Sequence, residues 1–167
     1  MNTSLHRRFA LLACLAFTLG VRAADYKPQV RDGITTSGDI MTYALPVAAM
    51  SIAAYWKDGE GAWQLTKSGL ITMSTAVAIK YTVKARRPNG DPYSMPSGHA
   101  AISFVSAEYL RKRYGWQYGV PAYVAASFVS YTRVRANEHY VRDIAVGGGI
   151  AFLSTYWMTT PYKGWAI

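Results

Sequence analysis

Apolar stretches alternate with short polar segments along most of the chain, and the polar segments contain the residues that usually form turns. The clearest breaks are residues 57–61, residues 88–92 and Gly115. The chain has five apolar segments in all, which predict helices over residues 39–56, 65–86, 97–113, 121–133 and 139–158. None of these segments keeps the strict alternation of a half-buried strand. The sequence therefore predicts an all-α, single-domain bundle of about five helices.

Two features mark individual helices within this pattern. Asp39 stands at the start of the first segment, where it is a candidate N-cap. The fifth segment contains three consecutive glycines, Gly147, Gly148 and Gly149, each of which costs helix stability. We therefore expect another helix backbone to approach the fifth helix closely at these glycines.

The N-terminus has the layout of a secretory signal peptide. Basic residues at positions 6–8 precede an apolar run over residues 9–21, and Val21-Arg22-Ala23 has the small-x-small pattern of a cleavage site. The pattern predicts a signal peptide over residues 1–23. Two alternatives stay open, an uncleaved first membrane helix and, more weakly, a lipoprotein anchored at Cys14.

The signal peptide sets the expected domain organisation and location. Residues 24–38 are polar and predict a linker, residues 39–158 form the helical domain, and residues 159–167 form a C-terminal tail. Export places the domain in the periplasm or at the periplasmic face of a membrane. An uncleaved first helix would instead make the chain an integral inner-membrane protein.

Composition limits the kinds of partner. Hydrophobic residues make up 51% of the chain and charged residues 16%, a balance that excludes intrinsic disorder. The net charge of +9 favours anionic partners such as phosphorylated substrates and lipid headgroups. The basic residues form no single tract, so we expect no nucleic-acid partner. The 13 Tyr and 5 Trp residues suit contact with a membrane surface. The single cysteine excludes an internal disulfide and CxxC motifs.

Three clusters of chemically active residues stand at predicted helix ends. They are Lys80 with Arg86, Arg87 and Pro88; the run Pro96-Ser97-Gly98-His99; and Arg133 with His139 and Asp143. Taken singly, each cluster has an ordinary structural interpretation: a solvated helix end, an N-cap, or a surface pair at i and i+4. Taken together, they combine two histidines at helix starts with several cations, which is a favourable arrangement for a phosphate.

The chemistry of these residue types indicates phosphoryl transfer without a metal. Helix N-terminal N–H groups near Ser97 bind an oxyanion, and Gly98 lets the backbone approach it closely. Arginine and lysine side chains add positive charge around the phosphate oxygens. Asp143 lies one helical turn after His139, so it is placed to accept the Nδ1–H and leave Nε2 free to attack phosphorus.

The three clusters resemble the motifs of the type 2 phosphatidic acid phosphatase (PAP2) superfamily, which includes the bacterial class A acid phosphatases and the vanadium haloperoxidases. The matching positions are Lys80, followed after six residues by Arg87-Pro88; Pro96-Ser97-Gly98-His99; and Arg133, followed at the family spacing by His139 and Asp143. Thr132 replaces the serine that precedes the arginine in the third motif. The motifs span residues 80–143, and the family's helical core would cover residues 39–158.

The resemblance implies a role for each matching residue. His139 would be the nucleophile, Asp143 would orient it, and His99 would be the general acid and later the general base. The residues that would bind the phosphate are Lys80, Arg87, Ser97, Gly98 and Arg133. Arg86, Arg135 and Arg142 lie outside the motifs and are either part of the electropositive surroundings or solvated. Glu138 either restrains an arginine or rejects bulky anionic substrates.

The implied function is a phosphatase that hydrolyses phosphate monoesters or pyrophosphates, in particular those of lipids, through a phosphohistidine and without a metal cofactor. Vanadate would act as an inhibitor. Two alternatives stay open: a vanadate-dependent haloperoxidase and a non-catalytic exported module that binds anionic headgroups. No residue selects among phosphatidate, phosphatidylglycerol phosphate, undecaprenyl pyrophosphate and lipid A, and the oligomeric state is not predicted.

Overall fold

The computed structural model describes residues 26–165, which form a bundle of five α-helices. The helices are α1 (Gly33–Tyr55), α2 (Gly59–Val83), α3 (Gly98–Tyr114), α4 (Trp116–Arg135) and α5 (Val141–Met158), followed by a 3-10 turn over Lys163–Trp165. No strand occurs between residues 26 and 165. The prediction of an all-α bundle of five helices is confirmed, whereas the predicted signal peptide over residues 1–23 lies outside the described residues.

Helix α3 is the centre of the bundle and packs against each of the other four helices. Small side chains make this possible, because Ala100, Ala101, Ser103 and Ala107 on α3 are completely buried. Helix axes can approach each other more closely where the side chains between them are small. The other helices therefore surround α3, and its first turn lies where several of their ends meet.

The glycines of α5 allow one of these close contacts, as the sequence predicts. A Cβ atom added to Gly147 would lie 2.6 Å from the carbonyl oxygen of Ser97, the N-cap of α3. Gly148 faces the ring of Phe104, whereas Gly149 has nothing within 4 Å of its Cβ position. Gly147 thus brings the start of α5 against the start of α3.

Helix α1 begins earlier than predicted, and this corrects the interpretation of two segments. Asp32 is the N-cap: its carboxylate accepts a hydrogen bond from the Thr35 N–H, and the Thr35 hydroxyl accepts one from the Asp32 N–H, both at 2.9 Å. This capping box starts the helix at Gly33, ahead of Gly38. Residues 33–38 are therefore helical rather than linker, and Asp39 lies inside α1 instead of capping it.

Other helix boundaries also differ from the prediction. Asp58 caps α2, which therefore starts at Gly59, six residues earlier than predicted, and ends at Val83. Gly115, with φ of +92°, separates α3 from α4 so sharply that α4 starts at once. At the other end of the chain, α5 starts at Val141, so His139 lies in the preceding loop.

A buried ion pair fixes the end of the bundle where α2 begins and α3 ends. Arg113 donates to both carboxylate oxygens of Asp58 at 2.6 and 2.7 Å, and the Tyr114 hydroxyl donates to the same group at 2.7 Å. Burial disfavours the charged carboxylate, but the hydrogen bonds from Arg113 and from the Gly61 N–H keep the pKa of Asp58 below its usual value. The pair therefore stays ionised at neutral pH.

The bundle has small polar residues within its buried interior and large apolar residues on its outer surface. Fully buried positions include many small polar residues, namely Ser68, Thr72, Ser103, Ser106, Thr132 and Thr155. Large apolar residues instead cover the outer faces of the peripheral helices: Tyr43, Leu70, Val124 and Trp157 are between 62% and 74% exposed. Within residues 26–165, no helix combines the length and the hydropathy needed to cross a membrane.

The glycines of α5 provide a matched test of this packing. Gly147→Ala should lower the free energy of unfolding by about 1–3 kcal/mol, because the new methyl group meets the Ser97 carbonyl and forces the helices apart. Gly149→Ala should raise it by about 0.5–1 kcal/mol, since alanine favours the helix and the added methyl meets nothing. Denaturant unfolding of both variants measures the difference, and equal effects would contradict the packing described.

Candidate active site

The three motif clusters meet at one end of the bundle. The start of α1, the end of α2, the start of α3, the end of α4 and the start of α5 converge there. The Ser97 N–H donates to the Asp143 carbonyl at 3.0 Å and so joins the second motif to the third. The structure brings together all the residues that the sequence selected: Lys80, Arg87, Ser97, Gly98, His99, Arg133, His139 and Asp143.

His139 lies in the loop before α5, and its side chain is only 2% exposed. Its Nδ1 atom is 3.6 Å from the nearer oxygen of Asp143, which is longer than a normal hydrogen bond. Among the described residues, neither this nitrogen nor the other Asp143 oxygen has a hydrogen-bond partner. Burial lowers the pKa of His139. The nearby Arg87 and Lys80 also lower it, whereas Asp143 raises it. The imidazole is therefore neutral at neutral pH, as a nucleophile must be.

Asp143 is held in place from three sides. Its side chain accepts hydrogen bonds from the Ser94 hydroxyl at 2.5 Å and from the Tyr140 N–H at 2.9 Å, while its own carbonyl accepts from Ser97. Burial opposes ionisation, but the hydrogen bonds keep the pKa of Asp143 below its usual value. Asp143 is thus a fixed, charged carboxylate beside His139. The contribution of Ser94 could not be predicted from motif spacing.

His99 is the second residue of α3 and is half-buried beside the free N–H groups of the first turn. Ser97 caps this turn by accepting from the Ala100 N–H at 3.4 Å. Burial lowers the pKa of His99, and the neighbouring Arg133 lowers it further. Its Nε2 atom lies 3.4 Å from the carboxylate of Asp39 on α1. His99 is therefore in contact with a residue that no motif includes.

The cations of the site differ in burial. Lys80 donates to the Tyr93 carbonyl at 2.8 Å, and burial together with Arg87 lowers the pKa of Lys80 to about 8. The Nε atom of Arg87 is buried and has no hydrogen-bond partner among the described residues. The side chain of Arg133 is only 1% exposed, and its guanidinium donates to the Thr35 carbonyl at 2.8 Å. The site therefore concentrates positive charge in a partly desolvated region.

Glu138 and Asp39 balance this charge. Glu138 lies 3.2 Å from Arg133 and 3.8 Å from Arg87, and it accepts from Gln29 at 2.7 Å. Asp39 lies 2.6 Å from Arg133. Of the two interpretations offered by the sequence, the contacts of Glu138 favour the restraint of arginines. The role of Asp39 was missed because an acidic residue near a helix start resembles a cap.

The three arginines outside the motifs occupy different places. Arg86 donates to the Gly90 carbonyl at 3.2 Å on the exposed surface, and Arg135 pairs with Asp32 at 2.5 Å. Arg142 lies 3.8 Å from Asp143 and packs over the ring of Tyr140. Only Arg142 is therefore directly beside the predicted catalytic residues.

The serines of the site and of α3 provide a matched test. Ser94→Ala should lower the free energy of unfolding by about 1–3 kcal/mol and reduce turnover of p-nitrophenyl phosphate, because Asp143 loses a buried hydrogen bond. Ser103→Ala should lower neither the free energy of unfolding nor the turnover, since the buried Ser103 hydroxyl has no partner among the described residues. Chemical denaturation and a colorimetric assay measure both variants. Equal behaviour of the two would show that Ser94 does not hold Asp143.

The chain is similar to a known protein family and to two of the relatives that the comparison found. The family model of the PAP2 superfamily matches residues 3–165. A lipid A 4'-phosphatase of Helicobacter pylori (strain J99) is 28% identical over 75% of this chain and 69% of its own length. A lipid A 1-phosphatase of Porphyromonas gingivalis is 34% identical over 49% of this chain and 20% of its own length.

A solved structure is also similar to the bundle. It is the transmembrane PAP2 type phosphatidylglycerolphosphate phosphatase from Bacillus subtilis, with a TM-score of 0.60 and 17% identity, and the match covers 77% of each chain. At this identity the likeness supports the fold alone. The family model covers nearly the whole chain and the motif residues converge as the resemblance requires, so the chain belongs to the PAP2 superfamily.

Proposed function

We propose that this chain is a lipid phosphatase that transfers the phosphoryl group of its substrate to His139 and then to water. The observation that carries the proposal is the placement of a neutral, buried His139 against the ionised Asp143, close to the two cations Lys80 and Arg87. A nucleophile, an orienting carboxylate and an oxyanion site are the parts that covalent phosphoryl transfer requires.

In the first step, Nε2 of His139 attacks phosphorus and the bond from phosphorus to the leaving oxygen breaks. His99 gives its proton to that oxygen, so the alcohol or phosphate leaves in neutralised form. Asp143 stabilises the positive charge that His139 acquires. In the second step, the oxygen of water attacks phosphorus, the bond from phosphorus to Nε2 of His139 breaks, and inorganic phosphate leaves. His99 takes a proton from the attacking water, so both histidines are restored.

Positive charge around the phosphoryl oxygens is the proposed substitute for a metal ion. Lys80, Arg87 and Arg133 carry this charge, and the N–H groups at the start of α3 add hydrogen bonds to it. In many phosphatases a bound cation supplies the same stabilisation. We therefore propose that turnover needs no added metal and that vanadate, which imitates the transferring phosphoryl group, inhibits it.

The outer surface supports a substrate that resides in a membrane. Large exposed apolar patches on proteins usually mark contacts with a partner or with lipid. Here apolar side chains project from α1, α2, α4 and α5, and the interior is rich in small polar residues that favour close helix packing. We propose that these outer faces contact lipid and bring the active site to a phosphorylated headgroup.

Lipid A is the first substrate to test, since the two relatives above are named as lipid A phosphatases. These names do not favour the haloperoxidase alternative. A periplasmic location would fit such a substrate, and it rests on the predicted signal peptide over residues 1–23.

A phosphate-release screen in EDTA tests the proposed function. Lipid A, phosphatidate, phosphatidylglycerol phosphate and undecaprenyl pyrophosphate are compared with soluble monoesters. We expect release from a lipid, no loss of rate in EDTA, and inhibition by vanadate.

Arg87→Ala should lower turnover by about 10²–10³, the usual cost of losing one oxyanion contact. Arg86→Ala should leave turnover unchanged, because this neighbouring arginine binds the Gly90 carbonyl on the surface.

Several outcomes would contradict the proposal. If EDTA abolishes activity and magnesium restores it, a metal ion rather than the three cations is the main source of positive charge. Equal losses in Arg87→Ala and Arg86→Ala would show that general electrostatics, rather than a specific phosphate contact, explains their effect. Release from soluble monoesters alone would overturn the assignment of a lipid substrate.

A further inference from the structure

Asp39 bridges two residues of the active site although it belongs to none of the motifs. One of its carboxylate oxygens lies 2.6 Å from Nη1 of Arg133 and 3.4 Å from Nε2 of His99. One turn earlier on the same helix face, the Thr35 carbonyl accepts from Nη2 of Arg133 at 2.8 Å. The first two turns of α1 thus supply two oxygen atoms to one buried guanidinium.

The packing of α1 fixes this position. Gly38 lies so close to Thr132, the residue before Arg133, that an added Cβ would overlap the threonine side chain. The capping box of Asp32 and Thr35 sets where the helix begins. Asp39 follows Gly38 directly, so its place beside Arg133 is determined by helix packing rather than by a flexible side chain alone.

The surroundings of His99 explain why a carboxylate matters there. Arg133 on α4 and His139 in the following loop disfavour a proton on His99, as does burial. Two carboxylates act in the opposite direction, Asp39 and Glu138. Glu138 is already engaged by Arg133, Arg87 and Gln29. Among the described residues, the carboxylate of Asp39 is the one that lies against a ring nitrogen of His99, at 3.4 Å.

We propose that Asp39 is a positioning residue that keeps the catalytic proton on Nε2 of His99 and holds Arg133 in the phosphate site. The proposal rests on the role of His99 as general acid in the proposed function. At 3.4 Å the contact is longer than a normal hydrogen bond, so the Nε2–H remains available to a leaving oxygen. His99 gives this proton to the leaving oxygen and regains one from the attacking water.

The sign of the expected pH effect follows from this chemistry. Protonated His99 is the active form, so activity falls as the pH rises through the pKa of His99. Removing the negative charge of Asp39 makes the proton easier to lose. The alkaline limb of the kcat/KM profile should therefore move to lower pH by about one unit in Asp39→Asn. At pH values above the limb, kcat/KM of Asp39→Asn should be about tenfold lower than that of the wild type.

The kinetic test compares phenyl phosphate, whose leaving group needs a proton, with p-nitrophenyl phosphate, whose leaving group hardly does. Asp39→Asn should lower kcat/KM more for phenyl phosphate, and Asp39→Glu should recover most of the loss because it restores the charge. Asp32→Asn is the matched control: the same change on the same helix removes an ion pair with Arg135 instead, and asparagine still caps. It should leave the pH profile unchanged.

A second readout needs no turnover, so it separates this proposal from the proposed function. NMR titration of the His99 ring should give a lower pKa in Asp39→Asn than in the wild type and in Asp32→Asn. An unmoved His99 pKa would overturn the proposal even if the enzyme is a phosphatase. A lower KM with an unmoved alkaline limb would also overturn it and would make Asp39 a competitor of the phosphate for Arg133. Absence of phosphatase activity alongside a shifted His99 pKa would count against the proposed function only.

Discussion

The burial of the Arg133 guanidinium is the constraint on which the active site depends. Its side chain is 1% exposed, and a buried charge costs several kcal/mol unless partners surround it. The partners come from separate parts of the chain: the Thr35 carbonyl and Asp39 from α1, and Glu138 from the loop before α5. The carbonyl of Arg133 also accepts from the N–H groups of Glu138 and His139. One residue therefore holds α1, the end of α4 and the loop of His139 together.

The remaining helices place their ends around this residue. Small side chains let four helices pack on α3, and Gly147 brings the start of α5 against Ser97. The buried pair of Asp58 and Arg113 fixes the opposite end of α3. The two ends of the bundle thus differ: one contains a satisfied ion pair that stabilises the fold, and the other contains the charged residues gathered around His99 and His139.

Motif spacing predicted residues that the structure brings together at one end of the bundle, but not the contacts that support them. Residues such as Lys80 and His139 were found because each motif lies within one short stretch that a helix end can present. Ser94 contacts Asp143 across 49 residues, so no local pattern could reveal it. Asp39 was assigned to a cap because the true cap, Asp32, lies before glycines that usually disfavour a helix. The number and type of helices followed from apolar runs and turn residues, whereas their first residues depended on capping hydrogen bonds.

A covalent phosphohistidine is the central step of the proposed mechanism, and detection of acid-labile phosphate on His139 tests it most directly. Wild type, His139→Ala and His99→Ala are incubated with labelled substrate, quenched, and mapped by mass spectrometry under alkaline conditions that preserve phosphohistidine. We expect label on His139 in the wild type, none in His139→Ala, and retained or increased label in His99→Ala, since that variant lacks the base for the water step. Label that persists in His139→Ala and disappears in His99→Ala would contradict the account and reverse the roles of the two histidines.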